Sequence, residues 1–78
     1  MENLKKYNLV FNECFQTTDD KLDNLYYQSI QEWDSVGHMG LISLLEDKFE
    51  IMLDTDDIIN FSSYTKGKEI LKKYNVNI

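Results

Sequence analysis

Proline is absent from the 78-residue chain, glycine occurs three times and cysteine once. The shortage of Pro and Gly disfavours a fold of short strands and tight turns and suits a helical domain. The single cysteine, Cys14, cannot form an internal disulfide, and no Cys/His spacing suggests zinc. Basic residues are also scarce: 8 Lys and Arg against 14 Asp and Glu leave a net charge of −6. That sign argues against nucleic acid as a partner, because phosphate backbones demand a basic surface. It favours solubility and partners that carry a basic patch. No apolar run approaches the ~18 residues of a membrane span. The opening MENLKKYNLVFNECF lacks the uncharged core and small-residue cleavage site of a signal peptide. A cytoplasmic monomer with no membrane span is the expectation.

What is present suffices for one compact core. Apolar residues make up 42% of the chain, too many for a disordered acidic tail. Residues 1–78 are read as a single domain with a stability of only a few kcal/mol. So short a chain has few elements with which to wall a deep enzymatic cleft. Leu4, Tyr7, Phe11, Cys14 and Phe15 recur at a 3–4 spacing and predict a first helix. It should end near Gln16, before the cap-forming TTDDK of residues 17–21. Within that stripe Cys14 reads as a small buried hydrophobe.

Residues 17–34 have weaker periodicity and predict a long loop containing a short helical turn, its aromatics pinning it to the core. Loops of this length are often functional. A second helix is predicted from Asp34–Ser35 to Phe49 or Glu50. Met39, Ile42, Leu45 and Phe49 form its inner stripe, which Leu41 and Leu44 widen. Asp54 or Thr55 should cap a short helix containing Ile58, Ile59 and Phe61. Ser62 or Ser63 should cap a last helix with Tyr64, Gly67, Leu71 and Tyr74 turned inward. The expected fold class is all-α: three main helices and one short one.

Asp34–Ser35 ahead of a periodic apolar run is a helix-start signal. Asp34 is at least as good a cap as Ser35. If Asp34 caps, the Ser35 hydroxyl lies in the first turn and is free to point to solvent. An attached phosphate is tolerated there, since free N–H groups and the helix dipole favour an anion. The competing chemistry is a hydrolase using Ser35, His38 and Asp34, because a three-residue spacing makes Ser35 and His38 helix neighbours. No oxyanion hole, orienting group or pocket can be read around them. His38 is then expected to be exposed and without a catalytic task. DTDDIINFSSYT fails as a calcium loop, with Ile59 at the glycine position and Thr65 at that of the bidentate Glu. Glu46, Asp47 and Glu50 oppose the dipole at the helix C-terminus, at about a few tenths of a kcal/mol each. A solvated face is the commonest reason for such a cluster.

WDSVGHMGLISLLEDKFEI, residues 33–51, resembles the acyl carrier protein family. The family signature is Asp-Ser followed by Leu or a similar apolar residue, then an amphipathic helix of the pattern L-[IV]-x-x-[LA]-[LE]-E-x-F. Asp34, Ser35, Val36, Leu41, Ile42, Leu45, Glu46 and Phe49 match it. The acidic segment 54–57 and NFSSYTKGKEIL extend the likeness, which covers residues 22–74. The resemblance implies a four-helix bundle of the acyl-carrier type in which Ser35 receives 4′-phosphopantetheine from coenzyme A, with Asp34 as helix cap and motif partner. A separate phosphopantetheinyl transferase makes the attachment and supplies the magnesium. The thiol of the arm holds an acyl or aminoacyl group as a thioester.

By this resemblance the carrier has no catalytic site of its own. An acyl- or aminoacyl-loading ligase charges it, and a downstream transferase or synthase takes the cargo. Val36, His38, Met39, Glu46, Asp47 and Glu50 are the implied docking residues, which gives the opposed charges a functional reason. Several residues depart from the fatty-acid carriers. Val36 stands where Leu is usual, Gly37 and Gly40 where acidic or polar residues are frequent, and Ser43 where a large apolar contact is common. Close packing of Gly40 with a neighbouring element is at least as good a reading of that position as a role in recognition. Trp33 and His38 look more like stand-alone carriers of specialised biosynthetic pathways. The alternative reading is a helical adaptor of similar fold that is never modified.

Overall fold

The computed structural model describes residues 2–78. It contains four α-helices: α1 (Glu2–Phe15), α2 (Ser35–Phe49), α3 (Thr55–Asn60) and α4 (Tyr64–Lys72). A 3₁₀ turn at Asp19–Asn24 lies within the first connection. Among the described residues the one extended pairing is an isolated antiparallel bridge between Tyr26 and Ser63. The chain is an all-α small bundle measuring 29 × 27 × 18 Å. No helix among the described residues is long and apolar enough to cross a membrane.

The 3–4 spacing of α1 turns Tyr7, Val10, Phe11 and Phe15 inward. Cys14 lies at the margin of that stripe and is only half-buried, with its thiol aimed at the Gly37 carbonyl at 3.8 Å. Phe11 is the hub of an aromatic cluster. Its ring centroid lies 4.9 Å from Tyr7, 5.3 Å from Tyr64, 5.6 Å from Trp33 and 5.9 Å from Phe15. All four contacts are edge-to-face, each adding about 0.5–1.5 kcal/mol beyond the area it buries. Gln16 takes the left-handed conformation (φ 54°) that ends α1.

The connection 17–34 carries its own anchors. Leu22, Leu25 and Trp33 are buried, whereas Tyr26 is 59% exposed and does not pin the loop. Its middle is fastened to the α3–α4 corner by two backbone bonds, Tyr27 N–H to the Ser62 carbonyl (2.8 Å) and Tyr64 N–H to the Leu25 carbonyl (3.0 Å). Those bonds join segments far apart in sequence and bring Tyr27 towards the start of α2.

In α2 the buried residues are Leu41, Ile42 and Leu45. Met39, expected in the inner stripe, is 55% exposed. The apolar face is centred on Leu41–Ile42–Leu45, and Met39 falls at its margin. Glu50 closes α2 in the left-handed conformation (φ 54°). Ser63 caps α4 by accepting a hydrogen bond from Lys66 N–H at 2.9 Å.

Close approach is required at Gly37 and Gly67, not at Gly40. A Cβ on Gly67 would lie 2.2 Å from Phe61 Cζ and 2.3 Å from the Tyr7 hydroxyl. A Cβ on Gly37 would lie 1.9 Å from the Glu32 carbonyl oxygen, because the end of the loop folds over the first turn of α2. A Cβ on Gly40 would meet only Cys14 Sγ, at an ordinary 4.0 Å.

Candidate functional site

Asp34 and Ser35 divide the start of α2 between them. Asp34 is extended and its Oδ1 accepts from Gly37 N–H at 2.8 Å, so it is the N-cap. Its carbonyl accepts from His38 N–H at 2.7 Å. Ser35 is left in the first turn with an exposed side chain. Its hydroxyl lies 3.3 Å from the Tyr27 hydroxyl. Nothing in the capping arrangement uses the Ser35 oxygen.

Beside it a cleft of ≈ 380 Å³ opens between α2 and α3. Ser35 and Tyr27 stand at this cleft with Met39, Ile58, Ile59 and Phe61, so its lining is largely apolar. Val36 (81% exposed), Met39 (55%) and Ile59 (71%) leave apolar surface near the serine. Tyr27, Ile58 and Ile59 are members of this site that sequence reasoning missed. The long-range pairing of residues 25–27 with 62–64 places Tyr27, and no local pattern signals it. Ile58 and Ile59 were expected only as members of a short helix, and nothing local shows that they face Ser35; Asp57 is the buried residue of α3.

His38 differs most from expectation. It is half-buried rather than exposed, because its ring is wedged between the loop and α3. Trp33 Nε1–H donates to Nδ1 at 2.9 Å, and Nε2 lies 2.8 Å from the Ile58 carbonyl oxygen. Both ring nitrogens are engaged, so neither is free to take a proton from Ser35. The partner of the Ser35 hydroxyl is Tyr27, not His38.

The acidic residues of α2 do not gather round Ser35. Glu46 is eleven residues further on, about 16 Å along the helix axis. It is half-buried, and its Oε2 accepts from Leu53 N–H at 2.9 Å, which fastens the α2–α3 connection. Asp47 and Glu50 are exposed. The placement of Glu46 against the dipole thus has a structural reason, and Asp47 and Glu50 remain as freely presented negative charges on that turn, with the exposed Lys48 between them.

The far flank of α3 is held by a polar cluster. The Asp57 carboxylate accepts from Lys73 Nζ at 2.6 Å and from the Tyr74 hydroxyl at 2.5 Å. The Tyr74 oxygen in turn accepts from Asp54 N–H at 2.9 Å. Lys73 and then Tyr74 hold the Asp57 carboxyl below the usual carboxylate range. Asp54 occupies the N-cap of α3, but its side chain makes no capping bond. Among the described residues no group of His, Cys, Asp and Glu side chains could hold a metal ion. No family model matches the chain, and no curated protein or solved structure matches it.

Proposed function

We propose that this chain is a discrete carrier protein that holds an acyl or aminoacyl cargo on a 4′-phosphopantetheine arm attached to Ser35. The observation that carries the reading is the division of labour at the start of α2. Asp34 does the capping, which leaves the Ser35 hydroxyl exposed in the first turn, next to an apolar cleft. A serine needed only as a cap would have its oxygen on a first-turn N–H; this one has not.

The surrounding groups fit the arm. Early N–H groups of α2 lack carbonyl partners within the helix and favour a phosphate diester at this turn. The Tyr27 hydroxyl, 3.3 Å from Ser35 Oγ, is placed to donate to a phosphate oxygen. When attached, the arm supplies a thiol that carries cargo as a thioester. Val36, Met39 and Ile59 give a partner enzyme apolar surface beside the attachment point. Asp47 and Glu50 offer negative charge further along α2 to a partner with a basic patch. A phosphopantetheinyl transferase would modify Ser35, a ligase would load the arm, and a transferase or synthase would unload it.

Intact-mass analysis after co-expression with a broad-specificity phosphopantetheinyl transferase tests the reading. The wild type should gain one phosphopantetheine and Ser35→Ala none. No gain by the wild type, together with a partner complex that survives Ser35→Ala, would favour an unmodified adaptor instead.

A further inference from the structure

We propose that His38 is a positioning residue that sets the opening of the cleft beside Ser35, by tying α3 to the buried indole of Trp33. The donors and acceptors on either side of the imidazole determine its state. Trp33 Nε1–H can only donate, and it meets Nδ1 at 2.9 Å. The Ile58 carbonyl can only accept, and it meets Nε2 at 2.8 Å. Nδ1 therefore accepts and Nε2 carries the hydrogen, so the ring is neutral and in the Nε2–H tautomer. Packing fixes its plane: it lies nearly coplanar with Trp33, tilted by 14° as an in-plane N–H···N bond requires, and meets the rings of Tyr27 and Phe61 edge-on.

The other end of the tie explains why α3 depends on it. The last four carbonyls of a helix lack an internal partner, and Ile58 supplies one of them in α3. His38 provides the missing donor. α3 has six residues, and its one buried side chain is the Asp57 carboxylate. Both isoleucines line the cleft: Ile59 is exposed, and Ile58 is half-buried and touches only the edge of the core. So short a helix has little stability of its own, and polar ties hold it on both flanks. Asp57 with Lys73 and Tyr74 forms the outer tie, and His38 with Trp33 forms the tie on the cleft side. Loss of the His38 tie frees the α3 wall of the cleft while the outer flank stays fastened. The consequence for cargo rests on the carrier reading: an apolar chain reaching the cleft from Ser35 is sheltered only while that wall is held.

Amide exchange on the unmodified protein tests the tie independently of any modification. His38→Leu removes donor and acceptor, whereas His38→Gln keeps one of each side by side on a carboxamide. The α3 amides should exchange roughly two- to tenfold faster in His38→Leu, the range that one net hydrogen bond spans. The α1 and α4 amides should be unchanged, and His38→Gln should restore protection. In the wild type, nitrogen NMR should show Nδ1 unprotonated, Nε2 protonated and the Trp33 indole N–H slow to exchange. That measurement decides the matter even if His38→Leu does not fold. Protonated Nδ1, unchanged α3 exchange, or acceleration spread evenly over all helices would overturn the proposal. With octanoyl and acetyl forms loaded on Ser35, His38→Leu should shorten the hydroxylamine lifetime of the octanoyl thioester relative to acetyl. An unchanged ratio would overturn the consequence for cargo. Failure of the wild type to be modified counts against the carrier reading and leaves the exchange experiment to judge the tie.

Discussion

Two glycines three residues apart on α2 should respond in opposite directions to a single added methyl. Gly40 is exposed in the helix interior, and a Cβ there meets only Cys14 Sγ at 4.0 Å. Alanine is therefore accommodated without movement, and it removes the backbone entropy that glycine loses on folding. Glycine is less favourable than alanine in a helix interior by roughly 0.8–1.0 kcal/mol, so Gly40→Ala should stabilise by about that amount. For a domain of this size about 1 kcal/mol corresponds to a rise in Tm of roughly 4–8 °C. Gly37→Ala gains less propensity, being in the first turn, and places a methyl 1.9 Å from the Glu32 carbonyl oxygen. That oxygen belongs to the backbone and cannot rotate away, so the loop end must move. Overpacking of this kind costs about 1–3 kcal/mol, and Tm should fall. Thermal melts followed by circular dichroism, with urea titrations to check the slope, measure both variants. A Gly40→Ala protein that melts below the wild type, or a neutral Gly37→Ala, would refute the packing described for the first two turns of α2.

Other consequences concern pH and charge. The folded-state pKa of Asp57 is lowered by Lys73 and then Tyr74. Its contribution to stability is thus present above the ordinary carboxylate value of about 3.9 and is lost as pH falls through the lower folded value. Urea titrations below about pH 4 should show a flatter acid limb for Asp57→Asn than for the wild type. Burial, followed by the proximity of Tyr64, pushes the Tyr7 phenol well above its ordinary value of about 10. Stability from that group holds below about pH 10 and is lost as pH rises, because the unfolded chain ionises first. Tyr7→Phe should flatten the alkaline limb, while losing about 1 kcal/mol near neutrality with its 2.6 Å bond to the Tyr64 carbonyl. Reversing Asp47 and Glu50 to Lys should slow modification of Ser35 without lowering Tm. In the wild type the same rate should fall with added salt, which screens exposed charges over about 8–10 Å. Rates indifferent to both changes would make those residues an ordinary solvated face.

How much of this was legible depends on the range of the interactions. α1, α2 and α4 follow from side chains three and four apart, and the Asp34 and Ser63 caps from cap chemistry, all of it local information. The short turn in 17–34 and the short helix after Asp54 were readable from the same signals. Met39 was misplaced because a periodicity marks an apolar stripe but not which neighbour covers its margin. Close approach was one of two readings of Gly40, but it occurs at Gly37, because only the path of the loop puts the Glu32 carbonyl over the first turn. His38 was expected to be exposed. Its burial requires Trp33, five residues earlier, and Ile58, twenty residues later, on either side of one ring. Tyr27 joins Ser35 through a bridge between the loop and the α3–α4 corner, for which no spacing in the chain gives a sign.

The proposed function has Ser35 carry an arm and the arm carry cargo. Peptide mapping by mass spectrometry of the protein purified from its native cell, under mildly acidic conditions that preserve thioesters, tests it most directly. The peptide containing Ser35 should bear phosphopantetheine, part of it with an acyl or aminoacyl group that hydroxylamine releases. A native protein whose Ser35 is unmodified throughout would contradict it.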